Sequence, residues 1–220
     1  MNRRNILLSG AALAGLSALA LGRLPSAAAQ AAAGRQDLGV QALGDHLSAG
    51  HVLGDPQAPV TIKEYSSLTC PHCANFHTTT LPSVKKNWID TGKAKLIYHH
   101  YPLDRLALIA GLSADCLESD QAYFAYINLL FETQQSWARA AKPVDALAKT
   151  AALAGLGRKR FDQCVADETK MDQIIAEMKA GRDDYDIQAT PTFIVNGKKL
   201  EGAVGYEDFA KALNEAYLGS

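Results

Sequence analysis

Two cysteines three positions apart, Cys70 and Cys73, stand where a strand-like run gives way to a helix-like one, and that seam constrains the rest of the chain. Upstream, Val60-Thr61-Ile62-Lys63-Glu64-Tyr65 reads as a short buried strand; downstream, Phe76, Val84 and Trp88 carry a loosely helical apolar period. Cysteines at i and i+3 at a helix start have Cα atoms close enough to bridge without strain. Pro71 suits the first helical position, where an amide hydrogen would lack a partner anyway. Cys70 is then the cap, its sulfur facing unpaired amides and the positive end of the helix dipole, both of which favour thiolate over thiol. His72, inside the ring, adds a second positive charge when protonated. A stabilised thiolate stabilises the reduced pair, so the expected chemistry is donation of the Cys70–Cys73 disulfide, with Cys70 solvent-facing and Cys73 its buried partner.

A C-x-x-C pair is also half of many zinc sites, but that use needs a second pair of similar spacing. Cys116 and Cys164 stand singly, with no histidine near either in sequence. The remaining alternatives are an inert structural disulfide and a metal-binding or copper-delivery site built on Cys70, Cys73 and His72. No metal or other cofactor is expected on the redox reading.

Glu64-Tyr65-Ser66-Ser67-Leu68-Thr69-Cys70-Pro71-His72-Cys73, with Ala189-Thr190-Pro191-Thr192-Phe193 far downstream, resembles the DsbA branch of the thioredoxin superfamily from about Val52 to the C-terminus. The resemblance implies a periplasmic thiol:disulfide oxidase acting on reduced, partly unfolded exported proteins. It also implies reoxidation by a membrane quinone-linked partner.

The chain of 220 residues, 48% hydrophobic, is long enough for one ordinary domain carrying an insertion. Its first 29 residues read as a signal peptide: a basic start at Arg3 and Arg4, an apolar run from Ile6 to Leu21, and the small-residue site Ala27-Ala28-Ala29. The run is short and rich in Ala, Gly and Ser, which disfavours a membrane anchor. The paired arginines resemble a twin-arginine signal, and Sec export is an equal expectation. Export places the mature chain where disulfides persist. Cleavage would remove three of the 22 bases and none of the 23 acids, a net charge of −4. No Lys/Arg-rich stripe points to nucleic acid. Residues 30–50 are expected to be a leader too short for a dimerisation domain, so a monomer is expected.

Gly54 to Pro59 is a turn-rich entry to the first strand. The helix after Cys70 is expected to bend near Pro82. Lys95 to Tyr101 reads as a second strand, parallel to the first in a right-handed β-α-β unit. From about Leu103 to Asp186 the pattern is helical: Leu106, Ile109, Ala110, Ser113 and Leu117 share a face, as do Phe124, Ile127 and Phe131, and Phe161 to Met178 continues it. Tyr123, Phe124, Tyr126, Phe131 and Trp137 are expected in the core, with a substrate groove the second reading. Asn196-Gly197 between two apolar runs signals a type I′ hairpin. Tyr206 to Tyr217 gives a closing helix with Phe209 and Leu213 inward.

The fold expected is therefore α/β and thioredoxin-like, β-α-β then β-β-α, with an inserted α-helical subdomain. Residues 51–102 form the first half, 103–186 the insertion and 187–220 the second half.

Other residues complete the expected site. Glu64 is either an ordinary surface acid or, as the resemblance favours, a buried carboxylate that accepts the proton of Cys73 through water. Pro191 is expected to be cis. By resemblance its loop lies against the disulfide, where Thr190 pairs with a substrate backbone as an added strand. Thr190 departs from the valine of the best-known oxidases and also occurs in isomerase branches, so an isomerase or reductase is the alternative activity. The resemblance includes cysteines in contexts like those of Cys116 and Cys164. Paired, they would staple two helices; unpaired, they would be small buried apolar side chains. His99 and His100 alternate along a strand and are read as structural.

Overall fold

The computed structural model describes residues 51–220. The expected signal peptide (1–29) and leader (30–50) lie outside the described residues. Five strands, β1 (His51–Leu53), β2 (Val60–Ser66), β3 (Ala94–His100), β4 (Thr192–Val195) and β5 (Lys198–Glu201), form one sheet in the order β1-β3-β2-β4-β5. β2 and β3 are parallel, as the β-α-β pattern requires, and the other pairs are antiparallel. At three residues, β1 is too short to show alternation, and the sequence pattern does not reveal it as an edge strand.

The register decides what faces the chemistry. Val60, Ile62, Glu64 and Ser66 lie on one face of β2, opposite Ala94, Leu96, Tyr98 and His100 of β3. The first two of each strand are apolar and the last two polar, yet all eight are buried. The core therefore turns polar toward the ends of β2 and β3. The turn between β4 and β5 has positive φ at Asn196 (43°) and Gly197 (89°), the hairpin conformation expected of Asn-Gly.

Helix α1 crosses that face in four continuous segments, Pro71–Asn75, a π turn Phe76–Thr80, Leu81–Val84 and a second π turn Lys85–Ile89. The first π turn ends two residues before Pro82, whose ring removes a backbone donor from the ladder. Between β3 and β4 come α2 (Arg105–Ala114), α3 (Asp120–Glu132), α4 (Gln134–Ala138), α5 (Pro143–Leu153), α6 (Arg158–Val165) and α7 (Glu168–Tyr185); α8 (Tyr206–Leu218) closes the chain. Two helical expectations need correction. α2 stops at Ala114, so Leu117 lies beyond it, and the run from Phe161 breaks where Asp167 caps α7 by accepting from Lys170 N.

Tyr123, Phe124, Tyr126, Phe131 and Trp137 are all core residues, and Trp137 Nε1 donates to Leu130 O at 2.8 Å. Burying the tryptophan N–H with a partner avoids the cost of an unmade hydrogen bond. Cys116 and Cys164, 48 positions apart, form a disulfide with Cα atoms 6.2 Å apart. It ties the segment after α2 to α6. Replacing both with alanine is expected to lower stability by about 2–4 kcal/mol in urea unfolding while leaving thiol exchange at Cys70 intact.

Candidate active site

Cys70 occupies the cap of α1 in an extended conformation, with Pro71 at the first helical position. Its backbone is fixed from three sides: Cys70 N donates to Ser67 O at 3.0 Å, Ala74 N donates to Cys70 O at 3.2 Å, and Gln134 Nε2 donates to Cys70 O at 3.0 Å. The same amide also donates to Leu68 O at 2.9 Å, so α4 grips the loop that carries the motif. Thr69 donates to Asp104 at 2.6 Å, and Asp104 in turn caps α2. A cavity of about 260 Å³ opens beside Pro71, between Thr69, Asp104, Leu106, Gln134 and Arg139.

The Thr190–Pro191 peptide is cis, and its loop lies against the dithiol. The Cys70 thiol donates to Thr190 O at 3.4 Å. Cys70 is only 7% exposed, less open than the expected solvent-facing sulfur, because this loop covers it; Cys73 is fully buried. His72 is exposed on the opening turn of α1.

The two sulfurs have opposite acidities. Cys70 is lowered from 9.0 to about 5, chiefly by the hydrogen bond its thiolate accepts from the Cys73 thiol. The Thr190 side chain and the backbone N–H groups of Cys73 and His72 lower it further, against burial, which raises it. Thr190 Oγ1 is buried without a partner while Cys70 is a thiol, and ionisation gives that hydroxyl an acceptor. The backbone amides likewise make no capping hydrogen bond to the neutral sulfur. Cys73 is pushed far up, first by burial and then by the hydrogen bond its thiol donates to the Cys70 sulfur, with the charge on Cys70 adding to both. Negative charge thus settles on the sulfur a second molecule can reach. Thr190→Val removes one donor and is expected to raise the Cys70 pKa by about one unit, read from thiolate ultraviolet absorbance against pH.

Glu64 is fully buried, which removes its reading as a surface acid, and its Oε1 lies 2.8 Å from His77 Nε2. Its Oε2, Ser66 Oγ and Tyr98 OH are buried without hydrogen-bond partners. Ser66 faces both the Cys73 sulfur and the Tyr98 phenol. The sequence reading omits His77, Ser66, Tyr98 and Gln134. Signals for the first three exist: His77 is one helical turn after Cys73, and Ser66 and Tyr98 share the strand parity of Glu64. Nothing in the pattern marks Gln134. His99 stacks on Tyr65 with centroids 4.8 Å apart, and His100 pairs with Asp115 at 3.0 Å, so both hold structure away from the sulfurs. Among the described residues no three His, Cys, Asp or Glu side chains converge to hold a metal.

Fold and site together define a thioredoxin-fold dithiol protein with inserted helices. A family model described as thioredoxin matches residues 47–215. The crystal structure of Wolbachia pipientis alpha-DsbA1 is similar with a TM-score of 0.73 and 32% identity, covering 77% of this chain and 91% of that one. Disulfide bond formation protein D of Bacillus subtilis is 26% identical over 182 residues, covering 76% of this chain and 77% of the relative. A Rickettsia typhi protein named as a candidate protein-disulfide oxidoreductase is 28% identical over 165 residues, 75% of this chain and 61% of the relative. The chain spans about three fifths of the length of the Rickettsia relatives it matches. The chain belongs to the thioredoxin family and to its DsbA branch.

Proposed function

We propose that this chain is a thiol:disulfide oxidase that donates the Cys70–Cys73 disulfide to reduced, partly unfolded exported proteins. The observation that carries the reading is the split between the two sulfurs, Cys70 favoured as thiolate and Cys73 held as thiol. A substrate thiolate attacks Cys70, expelling Cys73 and forming a mixed disulfide. A second substrate thiolate attacks the substrate sulfur of that bond and expels Cys70, leaving both cysteines reduced. Cys70 leaves readily because its thiolate is stabilised. Residues 187–220 supply the Thr190–Pro191 loop, on which an extended substrate would add as a strand.

The chain acts in the periplasm as a monomer, exported by the cleaved segment 1–29 through the twin-arginine or Sec route, with 30–50 a leader. A membrane quinone-linked partner restores its disulfide. The name of the Bacillus relative, a disulfide bond formation protein, accords with this direction of electron flow. An isomerase or reductase is the second reading, because Thr190 stands where the best-known oxidases of the branch carry valine and isomerase branches also carry threonine. One assay separates them. The oxidised protein is mixed in turn with a reduced two-cysteine peptide and with scrambled ribonuclease. Stoichiometric peptide oxidation without ribonuclease rescue supports the oxidase; rescue with poor peptide oxidation overturns it.

A further inference from the structure

Behind Cys73 lies a group of polar side chains that the exchange step does not itself use. His77 follows Cys73 by one turn of α1, so both side chains project from the same helix face toward the sheet. Its Nε2 lies 2.8 Å from Oε1 of the fully buried Glu64. Its other ring nitrogen, Nδ1, lies 3.2 Å from Oδ1 of Asn128 on α3. Asn128 is half-buried and reaches the rim of the domain. Phe131 stacks on the imidazole with centroids 4.1 Å apart and fixes the ring plane. One ring nitrogen thus meets a carboxyl sealed from water, and the other meets a side chain that water can reach.

On the sulfur side, Glu64 Oε2, Ser66 Oγ and Tyr98 OH are all buried without partners. Three unmade hydrogen bonds gathered behind one thiol are more than packing requires, since buried polar groups are normally paired. The titratable groups facing His77 are Glu64 from β2 and Tyr98 from β3, with Cys73 one turn earlier on its own helix; α3 presents Asn128 and Phe131.

We propose that His77 is a positioning residue that holds Glu64 toward Cys73 and relays the reaction proton between Glu64 and water at the rim, where Asn128 orients its Nδ1. The inference rests on the dithiol reading above and adds an exit to it. Consider Cys70 in mixed disulfide with glutathione. The Cys73 S–H bond breaks and its sulfur attacks the Cys70 sulfur, forming the Cys70–Cys73 bond. The Cys70–glutathione bond breaks, and glutathione leaves with the electron pair as a thiolate that takes a proton from water. The proton from Cys73 passes to Glu64. His77 takes that proton from Glu64 at Nε2 and gives up the one on Nδ1 to water, which leaves Glu64 as it began and the ring as its other tautomer; the reverse step at the next reduction of the pair restores the first tautomer. In the opposite direction the same route delivers a proton to Cys73 as it is expelled.

The test is single-turnover release of glutathione from protein charged at Cys70, followed between about pH 5 and 9. His77→Gln is expected to slow release about tenfold, less than the loss of a group that itself meets the reacting sulfur, and to displace the midpoint of the pH–rate profile. Glu64→Gln slows it at least as much, and the double variant is no slower than Glu64→Gln alone, because the two act in series. A His77→Gln protein with lower thermal stability but the wild-type rate and profile overturns the relay alone. A wild-type rate in Glu64→Gln overturns both the relay and the Glu64 role. Release from Cys73→Ala at the wild-type rate overturns the dithiol reading itself. Should His77→Gln not fold, Asn128→Ala is decisive. Slower release with a displaced profile supports the relay, and unchanged release overturns it.

Discussion

Cys73→Ala is expected to accumulate mixed disulfides with substrate proteins through Cys70, and Cys70→Ala to accumulate none. The geometry makes the asymmetry sharp. Cys73 is sealed in the core, whereas Cys70 sits at the helix cap under the Thr190–Pro191 loop, where an extended chain can pair. With the Cys70 pKa at about 5, nearly all of that sulfur is thiolate at pH 7, against about one part in a hundred for a thiol at 9.0. Loss of Cys70 therefore removes roughly a hundredfold advantage in reactive thiolate together with the only sulfur of the pair that substrate can meet. Without Cys73 the trapped bond has no internal attacker, and its lifetime is set by other thiols. Non-reducing electrophoresis of protein recovered from cells measures both variants. Equal trapping by the two would show that either sulfur can be attacked, contrary to their burial.

The cap at Cys70, the proline at the first helical position, the parallel β2–β3 pair and the Asn-Gly hairpin were legible in the sequence because each follows from short-range rules. Strand alternation, a missing amide hydrogen and positive φ at one dipeptide need no knowledge of the rest of the chain. The buried polar cluster was less legible. Glu64 and Ser66 continue the inward parity begun by Val60 and Ile62, and parity alone places them inside; polarity argues the reverse, and the structure follows parity. His77 was hidden differently. Its spacing from Cys73 puts it on the inner face, but the partner that gives it meaning lies on another element, 13 positions back. Gln134 acts on Leu68 and Cys70 across more than 60 positions, and no periodicity encodes a contact of that kind. The three-residue β1 failed for want of length. The break before α7 was hidden because apolar positions continue through it, although Asp167 is a cap of the usual type.

The reduced protein is expected to gain stability over the oxidised one as pH rises from about 5 to 9. Cys70 is depressed in the folded state, about 5 against 9.0, so its contribution is complete above the unfolded value and disappears as pH falls through the folded one. At pH 7 the shift corresponds to about 1–2 kcal/mol once screening at the rim of the protein is allowed for. Cys73 acts in the other direction, since burial holds it as a thiol in the folded chain while the unfolded chain ionises it above about pH 9. The difference between reduced and oxidised stabilities should therefore be flat below pH 5, climb to about pH 9 and then turn down. The disulfide form has neither titration, and the other ionisable groups are common to both forms and cancel. Urea unfolding of the two redox forms across this range isolates the thiolate. A difference that stays level from pH 5 to 9 would mean that the fold does not favour charge on Cys70, and the direction of electron flow proposed for the chain would lose its basis.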